Sequence, residues 1–410
     1  GAFLGRRRPP GFRQLSQSLS VAVVGGGIGG LTSALCLARR GHRVHLLEQA
    51  SAFVEAGAGI QLSPNATKVL LQLGLGDLLA AVCVQPEATH IRNWRSGRQI
   101  SQTPLGKTAQ TRYGAPYYHA HRGDLIKLLA DAAESEPNID IQLGTRLEDF
   151  SQSDDGVTLT AEGQSQRWDV MVGADGIHSL VRAKLWGEQQ ADFTGNMAWR
   201  MLVPIEGLPS EIAVPKTSVW WGPGKHFVHY LVSGGRYMNC VCVVETDTWH
   251  AESWTESGSV AQLRADFGGW HEDIQTLLAQ ADESTLFKWG LFDRPPMDSW
   301  SQGRVTLLGD ACHPTLPFMA QGAAMAIEDA VILANCLTGQ TDVARALQRY
   351  AQLRRNRTAR IQRGSRRNAK VFHMSGIQAW FRDKAASRAG QQAMDGLYRY
   401  DPLLVGLDAP

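Results

Sequence analysis

Near the start of the chain, the apolar positions change from a strand-like run to a helical period and back again. Leu19–Val24 is a short apolar run that leads directly into glycines, which predicts a buried strand. Leu31–Arg40 is rich in Ala and Leu and is followed by Gly41, which predicts a helix. His42–Glu48 is a second apolar run that ends on an acid. Together these segments predict a βαβ unit of about 30 residues.

Similar patterns continue further along the chain. Apolar runs predict strands over Ile139–Leu143, Val157–Thr160, Trp168–Gly173 and Arg304–Leu308. Helical periods predict helices over Asp124–Ala133 and Gly322–Leu337. From Val343 onward the pattern is again helical, with arginines at positions 345, 349, 354, 355, 357, 360, 363, 366 and 367. Aromatic residues do not interleave with these arginines, so we expect a solvated helix face rather than a nucleic-acid surface.

Between Phe193 and Lys288 the runs alternate between apolar and polar residues and are separated by glycine-containing turns. Such alternation predicts an antiparallel sheet. Tryptophans crowd this part of the chain: Trp199, Trp220, Trp221, Trp249, Trp254, Trp270 and Trp289. They suit a lobe that covers a flat aromatic ligand, although we expect most of them to fill the core.

We therefore predict an α/β fold in which a Rossmann-like dinucleotide-binding domain carries an inserted antiparallel β-sheet domain and is followed by C-terminal helices. The predicted boundaries are a basic N-terminal arm over 1–19, the dinucleotide-binding domain over 20–190 and 290–342, the sheet domain over 191–289, and the C-terminal helical segment over 343–410.

Composition and charge narrow the function classes. The 410 residues are 43% hydrophobic, which is typical of a globular protein. The formal net charge of +2 is too small to indicate binding to nucleic acid or to a membrane surface. The six cysteines form no CxxC pair, so we predict reduced thiols in a cytoplasmic protein and no metal site. We expect no membrane span, and the basic start of the sequence lacks the apolar stretch of a signal peptide.

The glycine loop after the first predicted strand carries the first candidate chemistry. Gly25 permits a tight turn, Gly27 lets the backbone approach a pyrophosphate, and Gly30 lets the helix pack on the strand. Glu48 lies 18 residues beyond Gly30, close to the distance of about 20 expected for an acid that holds a ribose diol. The loop and this acid predict a dinucleotide whose adenosine ribose lacks a 2′-phosphate.

Two further motifs follow predicted strands later in the chain. Asp175-Gly176 follows a predicted strand, and Gly309-Asp310-Ala311-Cys312-His313-Pro314 follows another. With the glycine loop, these motifs resemble the triple fingerprint of single-component, FAD-dependent aromatic hydroxylases of the salicylate hydroxylase and 3-hydroxybenzoate 6-hydroxylase kind. The resemblance extends from about Val21 to Asp401. Other matching segments are Gly57–Asn65, His121–Leu125, Gly173–Ser179 and Glu328–Ala330.

The resemblance implies a role for each motif. The glycine loop and Glu48 hold the ADP half of FAD, Arg122 contacts the cofactor, and Asp175 serves both FAD and the nicotinamide nucleotide. Asp310 binds near the ribitol and pyrophosphate. Further residues are expected to line the flavin: Gln61, Pro314, Gly322 and Ala323. The sequence has one such loop, so FAD is expected to be held tightly and non-covalently while NADH or NADPH acts as a transient co-substrate.

The chemistry of this class requires a site that shields a flavin hydroperoxide and a base that deprotonates a phenol. His226, Val228 and Tyr230 share one face of a predicted strand, whereas His229 points to the other face. In related hydroxylases a His and a Tyr with this spacing line the substrate pocket. We therefore predict His226 and Tyr230 as catalytic residues, with Pro314 beside them at the flavin.

These residues predict a monooxygenase that uses NAD(P)H and O2 to hydroxylate a small phenolic acid, such as salicylate or a hydroxybenzoate. Pro317 and Gln61 depart from some relatives and leave the ring substrate open. The alternatives are a related flavin monooxygenase of a heterocyclic or non-aromatic substrate (hydroxynicotinate, urate or a polyene), and a FAD-binding protein that does not hydroxylate. A homodimer is the candidate assembly.

Overall fold

The computed structural model describes residues 17–53, 58–247, 249, 255–390 and 392–407. Its strands are β1 (Ser20–Val24), β2 (Arg43–Leu47), β3 (Gly59–Leu62), β4 (Ala88–Asn93), β5 (Gln99–Pro104), β6 (Tyr118–His121), β7 (Ile139–Gln142), β8 (Leu147–Ser153), β9 (Gly156–Ala161), β10 (Gln164–Trp168), β11 (Val170–Gly173), β12 (Asp192–Pro204), β13 (Lys216–Gly222), β14 (Lys225–Val232), β15 (Tyr237–Glu245), β16 (Thr255–Ser257), β17 (Phe287–Asp293), β18 (Ser301–Gln302) and β19 (Val305–Leu307). Its α-helices are α1 (Ile28–Arg39), α2 (Pro64–Gln72), α3 (Gly76–Val82), α4 (Gly106–Tyr113), α5 (Arg122–Glu134), α6 (Leu180–Trp186), α7 (Val260–Asp266), α8 (Glu272–Ala279), α9 (Gly322–Leu337), α10 (Val343–Phe372), α11 (Gly376–Ala389) and α12 (Gln392–Tyr398).

A six-stranded sheet in the order β18-β19-β11-β1-β2-β7 forms the nucleotide-binding half of the fold. Strand β1 is central and pairs in parallel with both β2 and β11, whereas β18 joins the edge antiparallel. Helix α1 packs closely against the end of this sheet, because a Cβ on Gly29 would lie 2.6 Å from the Leu308 side chain. The predicted Rossmann-like βαβ unit is confirmed, and it presents the glycine loop at the carboxyl end of β1.

An eight-stranded sheet in the order β16-β17-β12-β15-β14-β13-β4-β5 forms the second layer. The sequence predicted an antiparallel sheet confined to 191–289, but the structure adds β4 and β5 from earlier in the chain. Strand β4 pairs in parallel with β13, so the sheet is mixed. The chain therefore leaves the nucleotide-binding half before position 191 as well. The predicted α/β class is confirmed, whereas the exact domain boundaries stay predictions.

The second sheet buries one face in its own apolar core and turns the other face toward the first domain. Trp199, Trp220 and Trp270 lie in that core, as expected, together with Cys240 and Cys242. Trp221 and Trp289 instead line a large cavity between the layers, while Trp254 and residues 1–16 of the predicted arm lie outside the described residues. All six cysteines are free thiols and buried.

Two expectations about local structure are wrong. The predicted strand Trp168–Gly173 is two strands, β10 and β11, which belong to different sheets. They separate at Asp169, whose carboxylate accepts hydrogen bonds from the backbone N–H and the hydroxyl of Ser20 at 2.7 and 3.0 Å. The apolar pattern did not reveal this break, because the Asp169 side chain bonds to Ser20, a residue 149 positions away.

The second correction concerns the basic helix α10. Several of its arginines are exposed as predicted, but the side chain of Arg354 is fully buried and pairs with Glu328 and Asp329 on helix α9. Arg357 also pairs with Glu328, at 2.9 Å. This face of α10 is therefore part of the interior and not solvated. No helix in the described ranges is long and apolar enough to cross a membrane.

Candidate active site

The glycine loop forms a tight turn that larger residues could not adopt. Gly25 adopts a φ of +108°, and a Cβ there would lie 2.1 Å from the Ala174 carbonyl oxygen. A Cβ on Gly30 would lie 1.8 Å from the Gly25 carbonyl oxygen, so the turn closes only around glycine. Gly27 precedes helix α1, and a Cβ there would meet nothing within 4 Å. Its open side faces the cavity beside the helix N-terminus, where backbone N–H groups favour a phosphate.

Glu48 stands at the end of β2 next to this loop. Its Oε2 accepts a hydrogen bond from the Gly26 backbone N–H at 2.7 Å, and its Oε1 accepts one from the Ala50 N–H at 2.8 Å. Each carboxylate oxygen keeps a further lone pair, so the same side chain can accept ribose hydroxyl donors. These two bonds hold the Glu48 carboxylate beside the glycine loop, and its predicted contact with a ribose stays a prediction.

One cavity connects this loop with the second sheet. Its volume is about 1410 Å³, more than the roughly 300–1,000 Å³ of a pocket for one drug-sized ligand, which suits a dinucleotide together with a small substrate. The structure brings nearly all predicted site residues to its wall: Gly25, Gly27, Glu48, Gln61, Arg122, Asp175, His226, Tyr230, Asp310, Pro314, Gly322 and Ala323. Gly30 is buried inside the turn instead, and Gly57 lies outside the described residues.

Asp175 lines the cavity but is engaged by its own helix. Its carboxylate accepts the Ser179 hydroxyl at 2.5 Å and the backbone N–H groups of Leu180 and Val181 at 2.9 and 3.3 Å. These bonds satisfy the first turn of α6. Burial raises the pKa of Asp175, while the hydrogen bonds oppose that shift. The geometry therefore gives Asp175 a helix-capping role, and its predicted contact with a nucleotide stays a prediction.

The Gly309–Pro314 loop is held from behind by a buried carboxylate. Asp329 accepts a hydrogen bond from the Gly309 backbone N–H at 3.1 Å and is hydrogen-bonded to His313 Nε2. His313 is fully buried and does not line the cavity, so it positions the loop. Asp310 and Pro314 thereby line the cavity, and their predicted roles at the flavin stay predictions.

The predicted alternation along β14 is confirmed. His226, Val228 and Tyr230 line the cavity. His229 lies on the opposite face, where its Nε2 accepts a hydrogen bond from Trp220 Nε1 at 3.0 Å. Burial lowers the pKa of His226 well below its usual range. A neutral imidazole is the form that can accept a proton.

Tyr230 is buried beside two other polar rings. Its ring centroid lies 4.3 Å from that of His119, and burial raises the pKa of its phenol. Tyr117, on the same wall, donates a hydrogen bond from its hydroxyl to Gln61 Oε1 at 2.6 Å. Tyr230 therefore remains a hydrogen-bond donor near neutral pH, which suits it to bind a phenolate oxygen.

Two residues near the cavity-facing side of β14 were not predicted. Arg200 lines the cavity, with its guanidinium 4.2 Å from the Trp289 ring centroid. The sequence contained one signal for Arg200. An arginine stands among the apolar residues of β12 and interrupts their pattern at a position that faces the cavity. His373 is hydrogen-bonded to His226, and nothing local in the sequence could show a contact across 147 positions.

Comparisons with known proteins agree with this geometry. Residues 18–365 match the model of the FAD binding domain family, and the chain belongs to this family. The predicted class, a FAD-dependent monooxygenase, is confirmed by family and by the relatives below.

Among curated proteins, the chain is 38% identical over 372 residues to 3-amino-4-hydroxybenzoate 2-monooxygenase PtnB3 of Streptomyces platensis, covering 90% of this chain and 92% of that protein. It is 40% identical over 357 residues to 6-hydroxynicotinate 3-monooxygenase of Bordetella bronchiseptica, covering 85% of this chain and 91% of the relative.

Among solved structures, Klebsiella pneumoniae HpxO complexed with FAD and uric acid is similar with a TM-score of 0.83 and 28% identity, over 93% of this chain and 96% of that one. A salicylate hydroxylase substrate complex gives a TM-score of 0.79 at 26% identity, over 94% and 96% of the two chains. The predicted resemblance and fold class are thereby confirmed.

Proposed function

We propose that this protein hydroxylates a small aromatic acid that carries a ring hydroxyl, using FAD, NAD(P)H and O2. The observation that carries the proposal is that the glycine loop and the polar face of β14 line the same cavity. The open side of Gly27, the fixed carboxylate of Glu48 and the cavity volume all fit FAD. When bound, FAD would accept a hydride from NAD(P)H and activate O2 for transfer of one oxygen atom to the ring.

One group of residues around the cavity would contact the cofactor, and another group would contact the substrate. The glycine loop, Glu48 and Arg122 would hold the nucleotide, and Asp310 and Pro314 would lie against the flavin end. The first turn of α9 faces the same space through Gly322 and Ala323, which are half-buried.

The substrate end offers one group for each part of a phenolic acid. Arg200 supplies a cation for the carboxylate, because a guanidinium binds a carboxylate through a charge-assisted hydrogen bond. Tyr230 would donate to the phenolic oxygen, and His226 would accept its proton. Trp289 and Phe318 form apolar walls that exclude water from the reacting ring.

The curated relatives support this substrate class, because one acts on an aminohydroxybenzoate. They also support a second candidate, a hydroxylated nitrogen heterocycle, since the relative at 40% identity is a 6-hydroxynicotinate enzyme. The solved complex of HpxO contains uric acid, which is a heterocycle as well. Both candidates place an ionisable ring oxygen near His226 and Tyr230.

A substrate panel separates the candidates. NADH and NADPH oxidation would be followed with 3-hydroxybenzoate, salicylate, 3-amino-4-hydroxybenzoate, 6-hydroxynicotinate and urate, and the products would be identified by mass spectrometry. Benzoate and phenol are the matched controls, because each lacks one of the two anchoring groups. We expect slow oxidation alone and faster oxidation, with a hydroxylated product, for a ring that has both groups.

Other results would change the proposal. Faster oxidation with urate or 6-hydroxynicotinate alone would favour the heterocycle. Rapid oxidation that no ring compound alters, with hydrogen peroxide as the product, would contradict hydroxylation.

The six free thiols support a reducing compartment such as the cytoplasm. Light scattering would test the candidate homodimer.

A further inference from the structure

A chain of hydrogen bonds leads away from His226 through the protein. His226 Nδ1 lies 2.7 Å from His373 Nε2, and His373 Nδ1 lies 2.8 Å from Glu245 Oε1. The side chains of the two histidines are almost fully buried, whereas that of Glu245 is 54% exposed. The chain therefore begins at the substrate end of the cavity and ends at solvent.

Three separate elements hold these residues together. His226 lies on β14, Glu245 ends β15, and His373 directly follows the last residue of α10. The turn before β14 joins them, because the Gly224 backbone N–H donates to the His373 carbonyl at 3.1 Å and its carbonyl accepts the Glu245 N–H at 3.0 Å. These backbone hydrogen bonds fix the backbones of His373 and Glu245 at positions from which the two side chains can form a hydrogen bond.

The surroundings of His226 destabilise the protonated form of its imidazole. Phe318 and Phe372 meet its ring edge-on, with centroids 5.0 and 5.2 Å away. Burial lowers the pKa of His226, and the neighbouring His373 lowers it further. Burial also lowers the pKa of His373; the Glu245 carboxylate opposes this shift and Arg382 adds to it. A proton accepted by His226 is therefore more stable when it is passed outward.

We infer that His226, His373 and Glu245 form a proton relay that carries the phenolic proton of the substrate from the cavity to solvent. This inference rests on the proposed function. His226 Nε2 takes the phenol proton while Nδ1–H gives its own proton to His373 Nε2. His373 Nδ1–H then gives its proton to the Glu245 carboxylate, which releases it to water. One proton leaves the ring hydroxyl and one reaches water, and each histidine is left with its proton on Nε2. After hydroxylation, a proton taken up from water by Glu245 passes inward along the same path to the oxygen of the product, which restores both histidine tautomers.

In this relay only His226 touches the substrate, whereas His373 and Glu245 act through it. Their substitution should therefore change the rate of proton release and leave the affinity for the ring compound nearly intact. A purely structural role for the same hydrogen bonds would instead alter stability or affinity and leave the proton-release rate unchanged.

The test uses the FAD-loaded enzyme without NAD(P)H, mixed in a stopped-flow instrument with 3-amino-4-hydroxybenzoate and a pH-indicator dye. Glu245→Gln keeps an oxygen that accepts from His373 but weakens the proton acceptor, and His373→Gln interrupts the relay. We expect each to slow proton release by roughly 10-fold or more, part of the 10²–10⁴-fold that general acid–base catalysis contributes. The matched controls on the other side of the sheet, Glu272→Gln and His271→Gln, should release the proton at the wild-type rate.

A second measurement needs no substrate. In enzyme carrying ¹⁵N-histidine, the ring nitrogen signals of His226 should shift in Glu245→Gln, although the two side chains do not touch, and they should stay in place in Glu272→Gln. Unchanged signals, or wild-type proton release in both relay variants, would overturn the relay. If wild-type enzyme neither binds nor ionises any ring compound of the panel, the proposed function fails, and the histidine signals alone decide whether the three residues are coupled.

Discussion

The Nε atom of Arg354 donates to Oδ1 of Asp329 at 2.6 Å, and both side chains are completely buried. Burial alone would lower the pKa of Arg354, but the carboxylates of Glu328 and Asp329 raise it above its ordinary value. The other oxygen of Asp329 accepts from the Gly309 backbone N–H. One buried ion pair therefore joins helices α9 and α10 and also fixes the Gly309–Pro314 loop, which lines the cavity.

The first prediction follows from this pair. Arg354→Met removes the guanidinium from the buried Asp329 carboxylate, whereas Glu328 keeps its pair with Arg357. Breaking a buried ion pair in this way should cost about 3–5 kcal/mol in the free energy of unfolding, measured by urea denaturation. FAD retention should fall as well, because the Gly309–Pro314 loop loses its support. Arg363→Met, at an exposed position of the same helix, should stay within about 0.5 kcal/mol of wild type. Equal stability of the two variants would contradict a structural role for the buried pair.

Elements with a clear period could be predicted closely from the sequence. Helix α9 has the predicted bounds Gly322–Leu337, and the side chains of β14 alternate as expected. Strands whose pairing depends on distant residues could not be predicted. The two strands β4 and β5 lie far from β13 in the sequence, and no local pattern states that the chain crosses to the second sheet before returning.

The candidate site shows the same division. Motif residues such as Glu48 and Asp310 reach the cavity because the motif itself encodes their turn. Arg354 and His373 were missed because their roles depend on partners in other elements, and an arginine-rich helix has the composition of an exposed one. Burial of a charge is a tertiary property, so only the packed structure could show it.

The second prediction concerns Glu48 and FAD. Glu48→Ala removes a charged acceptor for the ribose and should weaken FAD binding by on the order of 1.5–3 kcal/mol, measured by titration of the apoprotein. Glu48→Gln keeps an oxygen that accepts the Gly26 N–H. This variant therefore distinguishes an effect on the conformation of the turn from an effect on ribose binding. We expect Glu48→Gln to lose part of the affinity and keep the fold. The exposed Glu134→Ala is the control, and wild-type affinity in Glu48→Ala would remove this acid from the site.

The third prediction is a loss of stability in mild acid that depends on His42. Burial lowers the pKa of this histidine to about 4, and the positive charge of Arg40 adds to the shift. Its Nδ1 accepts the Leu19 backbone N–H at 3.1 Å, so the folded protein requires the neutral ring. The unfolded chain binds a proton near pH 6.5, and stability is therefore present above that pH and is lost as the pH falls toward 4.

The measurement is urea unfolding of wild type and His42→Gln at pH 7 and pH 4.5. Glutamine can still accept the Leu19 N–H but does not titrate. Between the two pH values wild type should lose roughly 2 kcal/mol more than the variant. An identical loss in both proteins would assign the acid sensitivity to other groups.

The last prediction compares the two faces of β14. If His226 accepts the phenolic proton, His226→Ala should lower the hydroxylation rate by roughly 10²–10⁴-fold and leave FAD binding nearly unchanged. Tyr230→Phe should give an intermediate loss, since the ring remains but the hydroxyl that binds the phenolate is gone. His229→Ala breaks the hydrogen bond from Trp220 on the far side of the strand and should lower stability more than rate. Steady-state rates on the best ring substrate, with FAD content and thermal unfolding measured on the same samples, separate these effects. A large rate loss in His229→Ala with a silent His226→Ala would show that the proton acceptor has been assigned to the wrong face.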